Sequence, residues 1–191
     1  MADLKLQCQC GAVKGKVTDV SPKTGNRVIC YCKDCRAFAS HLDKAEQTLD
    51  EAGGSDIYQI PPAKFQIDTG KEHVALLRLT PKGLNRWYCK CCNTPLGNTV
   101  GPELPFIGLV HTFIAEGQNT DQLIGEATGN VNTSGATQDI PESSYKHRGE
   151  LSVVLQIMRK LMWWKITGQG SPNLLFENKK PIAKPEILSG S

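Results

Sequence analysis

The eight cysteines of the chain fall into three tight groups: Cys8 and Cys10 in QCQCG, Cys30, Cys32 and Cys35 in CYCKDC, and Cys89, Cys91 and Cys92 in CKCC. Thiols this close in sequence are poorly placed to bridge one another, because so small a disulfide ring is strained. As thiolates, however, they can converge on one ion. Zinc suits such sulfur-rich groups, and the spacings are not those of iron–sulfur clusters. The expected chemistry is therefore that of thiolate-held zinc. What remains is which cysteines share an ion, and whether each ion has four protein ligands or three.

Geometry sorts the groups. In QCQCGAVKGKV, Cys8 and Cys10 stand two apart in a strand-like segment, where i and i+2 share a face, and Gly11 permits the chain to turn just afterwards. In RWYCKCCNTPLGN, Cys89 and Cys92 form a C-x-x-C knuckle closed by the turn residues Asn93, Thr94 and Pro95. These two pairs supply four thiolates, a closed structural site. Cys91 is an extra thiol beside the knuckle, able to replace Cys89 through a local register shift. Cys30, Cys32 and Cys35 are left with three ligands, the arrangement of a catalytic ion with an open position. None of the four histidines is well placed to close it: His41 reads as a solvated helix residue, and His73, His111 and His147 are isolated.

The elements that must position these groups read as β-rich. NRVICYC is a strand, and KDCRAFASHLDKA a helix whose N-cap is expected at Asp34, with Cys35 at the helix N-terminus. FQIDTG ends a short strand; HVALLRL and LNRWYC flank the turn residues TPKG as a hairpin. LPFIGLVHTFIA is an apolar strand with Gly108 marking a bulge. Residues 117–149 are rich in Gly, Asn, Thr and Ser and read as loop. ELSVVLQIMRKLMWWKITG is a helix ending at Gly168, with Leu151, Val154, Leu155, Met158, Leu161 and Met162 at helical spacing. It is expected to pack on the sheet, with the proline-marked tail strapped over the core.

Composition narrows the function classes. The chain has 191 residues, 39% hydrophobic, with a formal net charge of +3. That charge is too mild for nucleic-acid binding as the main task. The longest apolar stretch is broken by Arg159 and Lys160, which argues against a membrane partner. MADLKLQC lacks the charged-then-apolar pattern of a secretory leader, so a cytoplasmic setting is expected.

The order C-x-C-G, C-x-C-x-x-C-R, C-x-x-C-x-T-P-L, over roughly residues 5–115, resembles the glutathione-dependent formaldehyde-activating enzyme (GFA) family, which also contains centromere protein V. The resemblance implies a mainly β fold, a β-tent of antiparallel sheets with two zinc sites, spanning residues 1–118. Residues 119–191 would add a polar loop, a C-terminal helix at about 149–167 and an extended tail on the same domain. It also implies Cys8, Cys10, Cys89 and Cys92 on a structural zinc, and Cys30, Cys32 and Cys35 on a catalytic zinc that receives the glutathione thiol. Tyr31 stands where the family usually has His, and Asn93 where it usually has Gly. The implied partners are a small thiol, glutathione or similar, and a small aldehyde such as formaldehyde. The implied activity is that of a carbon–sulfur lyase forming or cleaving an S-hydroxymethyl adduct. Lys33, Arg36, Arg78 and Arg86 are the cations that would meet the carboxylates of a tripeptide thiol. Two other classes fit the same cysteines: a non-catalytic zinc-stapled binding module, and a metal- or redox-responsive protein using Cys91.

Overall fold

The computed structural model describes residues 2–140 and 149–188. Strands β1 (Ala2–Gln7) and β2 (Lys14–Val20) form a hairpin. Strand β5 (Phe65–Thr69) joins it to make a three-stranded antiparallel sheet, ordered β1-β2-β5. A larger sheet is built from β3 (Asn26–Cys30), β4 (Ser55–Ile60), β6 (Val74–Arg78), β7 (Asn85–Cys89), β8 (Thr94–Thr99) and β9 (Ile107–Val110). Its edges are β10 (Asn130–Val131) and β13 (Pro185–Ile187), giving the order β10-β3-β4-β9-β8-β7-β6-β13. The inner pairs are antiparallel and the two edge pairs parallel. Strands β11 (Phe176–Glu177) and β12 (Lys180–Pro181) form a small ribbon. The helices are α1 (Lys33–His41), α2 (Ala45–Thr48), α3 (Thr120–Ile124) and α4 (Glu150–Ile166). The fold is mainly β with antiparallel sheets and a C-terminal helix, as expected. The segment after residue 118 is woven into the same sheet, because it supplies both edges.

Alternation along the strands gives the large sheet two different faces. On β7, Trp87 and Cys89 point toward the small sheet and share a core with Leu4, Leu6, Val17 and Phe65. Trp87 is fully buried, donates from Nε1 to Thr99 Oγ1 at 3.0 Å, and meets the Phe176 ring edge-on at 5.8 Å. The other side of β7 faces α1: Tyr88 packs against Phe38, Leu42 and Leu77, and the Arg86 guanidinium lies 5.5 Å from the Phe38 ring centroid. The expected bulge at Gly108 is absent, since Gly108 pairs regularly with Gln59 and Asn98. Glycine is needed there for closeness instead: a Cβ would come within 2.8 Å of Asn98 Oδ1. The pairing of β7 with β8 shifts register between Trp87 and Tyr88.

Helix α4 is where its sequence said, but it presents a different face. Its buried contacts are Val153 and Trp164, with Gln156 Nε2 donating to Asn26 Oδ1 at 3.0 Å and Lys160 Nζ to Lys23 O at 2.9 Å. Of the residues expected to pack, Leu151, Val154, Leu155, Met158 and Met162 are exposed. The helix is apolar on two stripes, so periodicity alone does not choose between them. The choice falls to the stripe whose polar members can be hydrogen-bonded on docking. Gly168, at φ +69°, ends the helix as expected. No described helix is long and apolar enough to cross a membrane.

Candidate metal centres

The first cysteine cluster sits where two hairpin turns meet. Cys8 and Cys10 lie in the β1–β2 connection and Cys91 and Cys92 in the β7–β8 connection, rather than in strands. Gly11, at φ +75°, lets the first turn close, and Val13 N donates to Cys8 Sγ at 3.2 Å. All four sulfurs lie within 4.8 Å of one another. The pairs Cys8–Cys10, Cys8–Cys91, Cys91–Cys92 and Cys10–Cys91 stand at 3.6, 3.9, 3.8 and 3.2 Å. Sulfurs at the corners of a tetrahedron around zinc, each about 2.3 Å from it, would be roughly 3.8 Å apart. Three of these edges lie close to that figure and the Cys10–Cys91 edge is shorter; the chemistry of the donor set fits zinc. A metal here would tie the small sheet to the large one across more than eighty residues of chain.

The fourth member of this group is Cys91, not Cys89. Cys89 ends β7 on the Trp87 side, is fully buried in the core between the sheets, and has its thiol pushed up chiefly by that burial. Its neighbour Cys91 is exposed at the turn and free to swing toward Cys8 and Cys10. At Cys92 burial acts to raise the thiol, but hydrogen bonds from Thr94 and Cys10 outweigh it and bring the group to about 6.

The second cluster lies at the junction of β3 and α1. Cys30, Cys32 and Cys35 bring their sulfurs within 4.8 Å of one another, and among the described residues no other His, Cys, Asp or Glu joins them. The N-cap of α1 is Cys32, whose sulfur accepts from Cys35 N at 3.4 Å; the expected cap, Asp34, lies inside the first turn. Hydrogen bonds from Cys30 and Cys35 hold the Cys32 thiol far below its usual range, while the same contacts push Cys35 well up. Tyr31, between the first two ligands, is fully buried on the opposite side of the strand, with its hydroxyl donating to Asp50 Oδ2 at 3.0 Å.

Two segments the sequence left as loop and helix start complete this surrounding. Strand β10 runs parallel to β3, pairing Val131 with Cys30, which delivers Asn132 to the triplet. Asn132 Nδ2 donates to Cys30 Sγ at 3.4 Å. The Glu150 carboxylate, at the start of α4, accepts from Asn132 N at 2.6 Å and Thr133 Oγ1 at 2.7 Å. The Thr133 bond is the chief reason its acidity is raised. The loop that follows passes so close that a Cβ on Gly135 would sit 2.5 Å from Tyr31 O. Neither Asn132 nor Glu150 carried a sequence signal, because the pairing that places them spans about a hundred residues.

Of the four expected substrate cations, one reaches the triplet. Arg86 is almost fully buried, with Nη1 4.0 Å from Cys35 Sγ and Nη2 3.5 Å from Asp34 Oδ2. Arg36 is spent on the backbone, donating to Tyr31 O at 2.9 Å and to Gly135 O. Arg78 braces the β6–β7 turn through Asn85 Oδ1 at 2.9 Å. Lys33 is exposed and lies outside the pocket lining. His41 is exposed as expected, His73 lies near Glu72 at 3.6 Å, and His147 lies outside the described residues.

The triplet opens into a pocket of about 330 Å³ floored by the large sheet and walled by α4. A larger hollow of about 500 Å³ adjoins Cys8, Lys44 and His111. It touches the cluster of four thiols, whereas the smaller pocket adjoins the cluster of three.

A sequence profile described as "Family of unknown function (DUF6151)" matches residues 2–186. No curated protein matches the chain. Among solved structures, the chain is similar to a Rhodobacter sphaeroides protein solved as a structural-genomics target. The two share 17% identity, the match covers 65% of this chain and 97% of that one, and the TM-score is 0.43.

Proposed function

The chain belongs to the DUF6151 family, whose function is unknown, and from the site itself we propose a zinc-dependent enzyme that handles the adduct of a small thiol with an aldehyde. The reaction class is carbon–sulfur lyase, such as formation or cleavage of S-hydroxymethylglutathione, in keeping with the GFA resemblance. The observation that carries this reading is the contrast between the two clusters. One gathers four thiols in a closed set; the other gathers three beside a pocket. Cys8, Cys10, Cys91 and Cys92 would hold a structural zinc, and Cys30, Cys32 and Cys35 a catalytic one. When bound by three thiolates, zinc carries a net charge of about −1, and it favours an incoming thiol that loses its proton on binding over acidified water.

The chain's own residues then set the course of the addition. The thiol sulfur forms a bond to the carbonyl carbon while the C=O π pair moves to oxygen, which takes up one proton and so balances the proton the thiol released. Cleavage is the reverse. Arg86 stands beside Cys35, where its guanidinium can face the oxygen as negative charge grows there. Asn132 orients Cys30, and Glu150 in turn fixes Asn132 through its backbone N–H.

Elemental analysis of chelator-free protein should find two zinc ions per chain, one more labile than the other. In cobalt-substituted protein, millimolar glutathione or another small thiol should perturb the sulfur charge-transfer bands, and Cys35→Ala should abolish that response while sparing the four-thiol spectrum. A single metal after zinc supplementation, or no response to any thiol, would leave a zinc-stapled binding module.

A redox-responsive role is a second reading, favoured by Cys10 and Cys91, both exposed with sulfurs 3.2 Å apart. Joining them releases two protons and two electrons to an oxidant such as hydrogen peroxide, and withdraws two ligands from the structural metal. Peroxide-dependent loss of one zinc, together with a mass decrease of two hydrogens mapped to Cys10–Cys91, would support it. Retention of both metals under peroxide would reject it.

A further inference from the structure

The pocket beside Cys30, Cys32 and Cys35 has a chemical character that its ligands do not dictate. Its floor is Val28 and Ile57, Val131 stands beside Cys30, and α4 contributes Val154 and Ile157 opposite. Among the described residues, charged side chains enter the lining at two places, Arg86 and Glu150. Both are engaged. Arg86 faces Asp34 and Cys35, and Glu150 is hydrogen-bonded by Asn132 and Thr133. Glutathione brings two carboxylates and an ammonium group. Inside this pocket they would meet one committed cation, one committed carboxylate, the amides of Gln59, Asn98 and Asn132, and a wall that is otherwise hydrocarbon, and a charge buried without a charged partner is costly.

We infer that the ligand of the triplet site is a thiol, or a thiol–aldehyde adduct, whose organic part is apolar: an alkyl or aryl group seated against Val28, Ile57, Val154 and Ile157, with its sulfur toward the three cysteines. This rests on the thiol-adduct reading and narrows its substrate class away from charged tripeptides. A volume of about 330 Å³ lies at the lower end of small-molecule sites, which suits a hydrocarbon chain on the order of six carbons. Burial of each methylene should tighten binding about threefold to fourfold until the wall is covered. No ligand carboxylate then competes with the oxygen of the adduct for the one guanidinium beside the triplet, Arg86.

The test is calorimetric titration of the full-length, zinc-loaded chain with ethanethiol, 1-butanethiol, 1-hexanethiol and glutathione, and in parallel with ethanol, 1-butanol and 1-hexanol. Affinity should rise on the order of a hundredfold from ethanethiol to hexanethiol, and hexanethiol should bind more tightly than glutathione. The alcohols should show the same slope at weaker affinity. Val154→Asp and Ile157→Asp, on the pocket side of α4, should flatten both series while melting temperature reports that the fold is kept. The wild-type series stands without those variants if either unfolds. A rising alcohol series with no advantage for thiols would keep the apolar pocket and defeat the thiol reading. Flat series, in which thiols outbind alcohols regardless of length, would keep the thiol reading and overturn this inference. Tighter binding of glutathione than of hexanethiol, or no binding in either series, overturns it too.

Discussion

Replacing Cys8 with alanine is expected to cost several kcal/mol of stability, whereas Cys32→Ala should leave a folded protein that has lost only its second metal. Cys8 is almost fully buried, its sulfur accepts from Val13 N, and it stands in the cluster that joins the β1–β2 hairpin to the β7–β8 turn. Because a metal at that cluster binds only the folded arrangement, its binding free energy is folding free energy, with about 10 kcal/mol or more available in small zinc domains. A chain with its own core between two sheets depends on it less, so a loss on the order of 5 kcal/mol is expected, read as a large drop in melting temperature. The triplet lies instead between β3 and α1, which are adjacent in sequence, and Phe38 and Leu42 also hold the α1 segment against Leu77 of the large sheet. Equal collapse of both variants in thermal melts would show that the division of the cysteines is wrong. The companion pair separates the ligand sets: Cys91→Ala should reduce the metal content by one, while Cys89→Ala should keep two metals and lose only packing, on the order of 1–2 kcal/mol for a small buried side chain.

The grouping of cysteines was legible because ligand spacing is local, and both cysteine clusters lie on the segments that the sequence singled out. The choice of Cys91 over Cys89 was not, although RWYC carried the signal: Trp87 and Cys89 alternate together, so a core tryptophan takes its second neighbour inward. The open sides of the triplet were less legible still. Asn132 arrives through a two-residue parallel strand, and nothing in GNVNTSG marks that pairing. Arg86 was one of four equivalent-looking cations, and only the crossing of α1 over the sheet face selects it. In α4, two apolar stripes made helix existence plain and helix orientation undecidable. Gln156, Lys160 and Trp164 settle the orientation through partners distant in sequence.

Arg86 should be the residue whose loss most affects chemistry relative to stability. Arg86→Met removes a guanidinium that is almost fully buried, a change that is severe when the abandoned partner is also buried. Here the abandoned carboxylate, Asp34, is 48% exposed and can be solvated, so the fold should lose only about 1–2 kcal/mol. Two members of the triplet cannot be solvated in this way. Cys30 and Cys35 are buried, and the cation next to them offsets the negative charge they retain when a metal is bound. Loss of such a supporting partner should weaken the triplet metal about tenfold to a hundredfold in chelator competition, with the four-thiol site unchanged. Under saturating zinc, thiol affinity should then change little while the rate of adduct formation from hexanethiol and formaldehyde falls on the order of a hundredfold, because the oxygen has lost its counter-charge. Arg86→Lys keeps the charge without the planar fork, so it should recover metal affinity more fully than rate. If Arg86→Met instead lowers metal affinity at both clusters together with the melting temperature, Arg86 is a packing residue and the oxyanion role fails.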